Sequence, residues 1–219
     1  MINLVKQKEV LTRTQIKEFI QKADSFETQL MILVMATTGM RVGELVNFKP
    51  NWIDFQEGSI RIQENKKPIA WKPKRESVRS VPIPSNVSDN LKRHLKSRKA
   101  GYMFQSQKTK SYEVKNGKKV SKRTHRRYAY RTIIRRINKI SQEVMGVDTG
   151  THVFRATYAS HLLANKISLE GIRKLLGHSD IKTTLLYIRS IPDFREWDKV
   201  RNMEFMQMDL GAILKIKRK

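Results

Sequence analysis

Residues 175–188, LLGHSDIKTTLLYI, decide how the rest of this sequence is read. Gly177 breaks one helix, His178 sits in the turn, Ser179 or Asp180 caps a second helix, and Tyr187 comes about two turns into it. Its neighbours Leu185, Leu186 and Ile188 are apolar, and a tyrosine in such company is more often a core residue than a catalyst. Upstream, THVFRATYASHLL (151–163) sets His152 and Arg155 three residues apart, on one face of a starting helix. A metal site would need a second ligand nearby. The next histidine, His161, is nine residues on, so both histidines also read as ordinary satisfied side chains. In TTGMRVGEL (37–45), Arg41 follows a helix-ending glycine, and Glu44 lies one turn further on, close enough to hold its guanidinium; a structural ion pair would look the same. In KPKRESVRSVPIP (72–84), Lys74 falls at a turn before a strand that ends near Pro82, where lysines are usually just solvated.

The composition narrows what such a constellation serves. In 219 residues, 45 Lys and Arg against 20 Asp and Glu leave a formal charge of +25, which is best tolerated opposite a polyanion. Nucleic acid is the leading partner class. A membrane surface is disfavoured: no amphipathic helix concentrates the charge, and the longest apolar run, Leu30–Ala36, is too short to span a bilayer. The absence of cysteine excludes disulfides and thiolate metal sites. With no signal peptide recognised, the default location is cytoplasmic and nucleoid-associated.

Along the chain, residues 1–10 read as a short N-terminal arm. Thr12 with Gln15 forms a capping box that opens a helix through about Ala23. A buried helix is expected from Gln29 to Gly39, and a short helix closed by Pro50 follows. Alternation at 59–63 and 78–83 predicts two strands, and Val87, Leu91 and Leu95 an amphipathic helix capped by Ser85 or Ser88. From 105 to about 123 runs a strongly basic insertion, a hairpin about Asn116-Gly117 or a flexible loop. A basic helix is predicted from Thr124 to Val144, then helical segments at 152–165, 168–176 and 180–189. The fold class is mainly α with a small antiparallel β-sheet (α+β). Residues 191–219 read as a helical C-terminal segment with a basic tail.

Together, in this order and at these spacings, TTGMRVGEL, HVFR, LLGHSDIKTTLLY and KRESVRSVPIP resemble the signature of tyrosine recombinases, the phage-type integrases, over residues 11–190. The resemblance implies the catalytic-domain fold of that family and a metal- and ATP-independent enzyme, with no cofactor, that cuts and rejoins DNA through a 3′-phosphotyrosyl intermediate. The matching positions are Arg41, Lys74, His152, Arg155, His178 and Tyr187, with Tyr187 the nucleophile. Lys66, Lys67, Lys72 and Arg75 crowd Lys74, which is preferred because it stands eight residues before Pro82, the family spacing. The partners implied are double-stranded DNA, further copies of the chain in a tetramer on DNA, and an accessory DNA-bending protein.

Lys108, Lys110, Lys118, Lys119, Lys122 and Arg123 of the basic insertion, with Arg126 and Arg127 just after it, are candidates for contact with the DNA backbone. Members of the family typically carry a separate core-binding domain before the catalytic one. Only about ten residues precede the catalytic body here, which fits either a minimal recombinase or a product lacking its partner domain. Asp193–Leu214 either passes to a neighbouring protomer or packs on its own body. Three rivals remain at this point: a type IB topoisomerase-like enzyme, a catalytically silent DNA-binding regulator, and a basic RNA-binding protein that would explain the charge alone.

Overall fold

Thr12 caps the first helix as its sequence predicts. Its hydroxyl accepts from Gln15 N at 3.2 Å and the Gln15 side chain accepts from Thr12 N at 2.9 Å, opening α1 (Arg13–Lys22). The computed structural model describes residues 10–64, 78–96, 101–115 and 118–179, and only the backbone along 107–115 and 118–126. The expected N-terminal arm, the 66–76 turn with Lys74, the helix at 180–189 with Tyr187, and the C-terminal segment lie outside the described residues.

Helix α2 (Phe26–Thr38) begins three residues before the expected Gln29, because Ser25 accepts from Thr28 N and acts as the cap. Every residue from Thr28 to Thr38 is buried, so the helix carries no polar face and runs through the middle of the domain. It packs against α1, against α4 (Ser85–Lys96) and against α6 (His152–Ala164). Phe19 meets Phe154 edge-on at 5.4 Å, and Phe48 stacks near Trp52 and Phe104, so aromatic rings from distant segments share one core. Gly39 ends α2 in the left-handed region, with φ +61°.

After α3 (Val42–Asn47), Pro50 does not close the helix as expected: Phe48 is its C-cap, and Pro50 opens a 3₁₀ turn, where its fixed φ suits the first position. Strands β1 (Ile53–Asp54), β2 (Ser59–Ile62) and β3 (Arg79–Pro82) form an antiparallel sheet in that order. Ile60 pairs with Val81 and Ile62 with Arg79, so all four share the inward face while Arg61 points to solvent. The expected caps of α4 are corrected: Ser85 and Ser88 lie inside the helix, and the carbonyl of Pro84 receives its first amides.

The basic insertion is a hairpin rather than a loop, with β4 (Gln105–Lys115) and β5 (Lys118–Arg127) antiparallel from end to end apart from an irregularity between Gln107 and Lys110. It extends past the predicted boundary, and 125–127 pair across it, so α5 (Tyr130–Met145) starts six residues later than predicted. Its base is tied to α2. Gln105 N and Tyr128 Oη both donate to Glu27, and the Arg136 guanidinium lies 4.9 Å from the Tyr128 ring. Helices α6 and α7 (Leu169–Leu176) complete the described chain, Ser168 capping α7 through Gly171 N. Among the described residues no helix is long and apolar enough to cross a membrane.

Candidate active site

The exit of α7 organises the site. Gly177 takes the left-handed conformation, its N–H bonds to Lys174 O and His178 N bonds back to Arg173 O, which is a Schellman closure. His178 is thereby fixed one residue beyond the helix, 7% exposed, with its carbonyl held by Arg173 Nη1 at 2.9 Å. Arg173 is in turn gripped by both oxygens of Glu170 at 2.7 Å.

The final carbonyls of a helix have no partner within it and form the negative end of its dipole. In this helix three consecutive ones meet three arginines. Leu175 O accepts from Arg79 Nε at 2.7 Å, Leu176 O from Arg155 Nη2, and Gly177 O from Arg41 Nη2 at 3.3 Å. Arg155, from the first turn of α6, also donates to Gly39 O at 2.7 Å, so the glycine that ends α2 helps to orient it. Close approach requires that glycine: a Cβ there would lie 2.6 Å from a ring carbon of Tyr158.

Glu44 lies 1% exposed among these arginines. One oxygen accepts from Arg41 Nη1 (3.0 Å) and Arg79 Nη1 (2.9 Å), the other from Arg41 N (2.7 Å) and Arg79 Nη2 (2.8 Å). Burial pushes its pKa up, but Arg79 above all, with Arg155 and Arg41, outweighs this and holds it below the ordinary carboxylate value. The carboxylate stays ionised. Tyr158, buried nearby, has its hydroxyl pKa raised by burial.

Of the residues singled out from sequence, Arg41, Arg155 and His178 converge at the α7 exit, while His152 lies exposed at the start of α6, one turn before Arg155. Lys74 and Tyr187 lie outside the described residues. His161 keeps its mundane reading, with burial lowering its pKa. Lys108, Lys110, Lys118, Lys119, Lys122, Arg123 and Arg126 all fall on the paired strands β4 and β5. Arg127, at the hairpin base, donates to the Asn47 side chain of α3 at 2.7 Å.

One feature was half read and another missed. The basic helix was expected, but not that Arg131, Arg135 and Lys139 recur every fourth residue along its exposed side, a spacing visible in the sequence once the helix is fixed. Arg79 was passed over inside its strand, although the same alternation that turns Val81 and Ile83 inward also turns Arg79 inward, toward a necessary anion.

The sequence model described as the phage integrase family matches residues 9–192. Tyrosine recombinase XerA of Pyrococcus furiosus is 28% identical over 183 residues, covering 82% of this chain and 56% of that protein. Tyrosine recombinase XerC of Pseudomonas aeruginosa is 26% identical over 170 residues, covering 78% of this chain and 48% of the other. The chain thus spans about half the length of the curated relatives it matches. Among solved structures, XerA recombinase superposes with a TM-score of 0.61 at 24% identity, over 83% of this chain and 59% of that one. The Tn1549 transposon integrase in complex with a circular intermediate DNA gives 0.63 at 21% identity, over 87% and 64%.

Proposed function

The chain belongs to the phage integrase family, and from that membership we propose that it cuts and rejoins duplex DNA as a site-specific tyrosine recombinase, through a 3′-phosphotyrosyl intermediate on Tyr187. The observation that carries this reading is the convergence of Arg41 and Arg155 on adjacent carbonyls beside His178. Guanidinium forks suit the non-bridging oxygens of a phosphodiester, and donors fixed before the reaction stabilise the charge that builds in a pentacoordinate transition state.

A tyrosine hydroxyl, with an ordinary pKa of about 10, needs both a base and an activated phosphate to react at neutral pH. In the proposed step Tyr187 Oη attacks phosphorus while the bond to the 5′ oxygen breaks. His152 takes the tyrosine proton and Lys74 supplies one to the departing 5′ oxygen. Arg41, Arg155 and His178 hold the phosphate. One phosphodiester replaces another, so a 5′ hydroxyl from a second strand reverses the step without ATP. Residues 11–190 form the catalytic domain in this reading, and 191–219 contact a neighbouring copy in a tetramer.

The partner is duplex DNA. The Tn1549 integrase, with which this chain shares its fold, is described in complex with DNA, as is the XerH recombinase bound to a difH substrate. The β4–β5 hairpin and the Arg131, Arg135 and Lys139 stripe of α5 are the basic elements that would run along the phosphate backbone.

The test uses nicked duplexes, selected for binding from a random-sequence pool, that trap the covalent intermediate by losing the 5′ strand. Incubated in chelator and run on a denaturing gel, the wild type yields a protein–DNA adduct and Tyr187→Phe yields none. Tight binding without any wild-type adduct would refute the reading in favour of a silent DNA-binding regulator. An adduct without strand exchange would leave a topoisomerase-like enzyme.

A further inference from the structure

Glu44 is shared unequally. Arg79 meets both of its oxygens with a guanidinium fork, at 2.9 and 2.8 Å, whereas Arg41 gives it one guanidinium nitrogen and its own backbone N–H. The Arg79 side chain is 5% exposed and that of Arg41 is 23% exposed. One of the two cations is therefore enclosed with the carboxylate, and the other keeps a side open to solvent.

Resting on the recombinase reading above, we propose that Arg79 is a positioning residue for catalysis. By neutralising Glu44 it leaves the charge of Arg41 available to a DNA phosphate, and it fixes the carboxylate in the orientation that aims Arg41. The argument is electrostatic and geometric. A buried carboxylate must be matched by a cation, and the pair Glu44–Arg79 matches it internally. Without Arg79 the cation left hydrogen-bonded to Glu44 among the described residues is Arg41, with Arg155 acting only through its charge, and the Arg41 fork would turn from Gly177 O toward both carboxylate oxygens. The phosphate would then meet a guanidinium already balanced by an anion and displaced from its place. Arg79 also anchors itself to Leu175 O, two residues before the carbonyl that Arg41 uses, so the frame and the framed group share one helix end.

A purely structural role for Arg79, holding β3 against α7, makes a different prediction. If Arg79 acts through the charge of Glu44, removing that charge restores function to a chain without Arg79; if it acts as a strut, it does not. The experiment uses the full chain and the adduct-trapping duplex described above, and measures the rate of adduct formation and, separately, duplex affinity by fluorescence polarisation. Arg79→Met should slow adduct formation at least about a hundredfold, the size of loss that follows from misplacing a reacting group by about 1 Å. Affinity should change less than about threefold, because the hairpin and α5 carry most of the backbone contacts.

Adding Glu44→Gln to Arg79→Met should recover at least about tenfold of the lost rate, since the amide still accepts from Arg41 N but no longer competes as an anion. Recovery below tenfold overturns the proposal, as does an Arg79→Met rate less than about a hundredfold below wild type. Should Arg79→Met not fold, the double variant, which lacks both buried charges, is compared directly with the wild type. A rate within about thirtyfold upholds the proposal, and a larger deficit overturns it. Failure of the wild type to form any adduct would instead strike the recombinase reading itself.

Discussion

Replacing Gly39 by alanine isolates how tightly the site is built. The residue has φ +61°, a conformation that costs an L-residue about 1–2 kcal/mol. The new Cβ would stand 2.6 Å from Tyr158 Cδ1 and 2.9 Å from Leu176 Cδ2, and both side chains are fully buried, with no solvent to swing into. Forcing a methyl group into such packing adds about 1–3 kcal/mol, for a combined destabilisation of about 2–5 kcal/mol. Gly146 supplies the control, since it ends α5 at φ +71° with nothing within 4 Å of an added Cβ, so Gly146→Ala carries the backbone cost alone. Urea denaturation of both variants beside the wild type measures the difference, which is the cost of the clash. Because Gly39 O also receives Arg155, adduct formation should fall in Gly39→Ala and not in Gly146→Ala. Equal destabilisation of the two variants would refute the packing argument.

Two further outcomes follow from ionisation. Tyr128, pushed up to about 12 by burial and by the Glu27 carboxylate it donates to, contributes stability that is fully present below about pH 10 and lost as pH rises toward 12. An absorbance titration should show one tyrosine with a midpoint near that value, absent in Tyr128→Phe. Glu44 titrates below the ordinary carboxylate value of 4.5, so its contribution is complete above that pH and disappears as pH falls through the lowered pKa. Glu44→Gln should lose about 3–5 kcal/mol at neutral pH, because Arg79 is left buried without its anion, and its stability should fall less steeply in acid than that of the wild type. Parallel acid limbs would contradict that assignment.

The sequence made local features readable and hid the long-range ones. Thr12 with Gln15 and the helix-ending Gly39 set their helix ends within a few residues of themselves, and each does there what its type and spacing imply. Arg41, Arg155 and His178 were singled out because a family signature ties them together, whereas their convergence in space depends on carbonyls up to 136 residues away. The start of α5 was misplaced at Thr124 because that residue lies within β5 and 125–127 are held by strand pairs with 105–107, a cross-strand register that no local pattern carries. Arg79 shows the same limit. Its inward register could be read from alternation, but its partner Glu44 lies 35 residues earlier in another element.

The three carbonyls at the α7 exit also set an order of assembly. They receive arginines from β3, from the start of α6 and from the approach to α3, across sequence separations of 96, 21 and 136 residues. Until Leu175–Gly177 have been made, each of those guanidinium groups lacks one of its final acceptors, although Arg41 and Arg79 can already meet Glu44 and Arg155 can meet Gly39 O; contacts of such separation form slowly because the loop must close first. The frame that seats all three arginines on one helix end is therefore incomplete while most of the described residues are being made. The arrangement proposed to grip a DNA phosphate is complete only once the segment bearing His178 has docked.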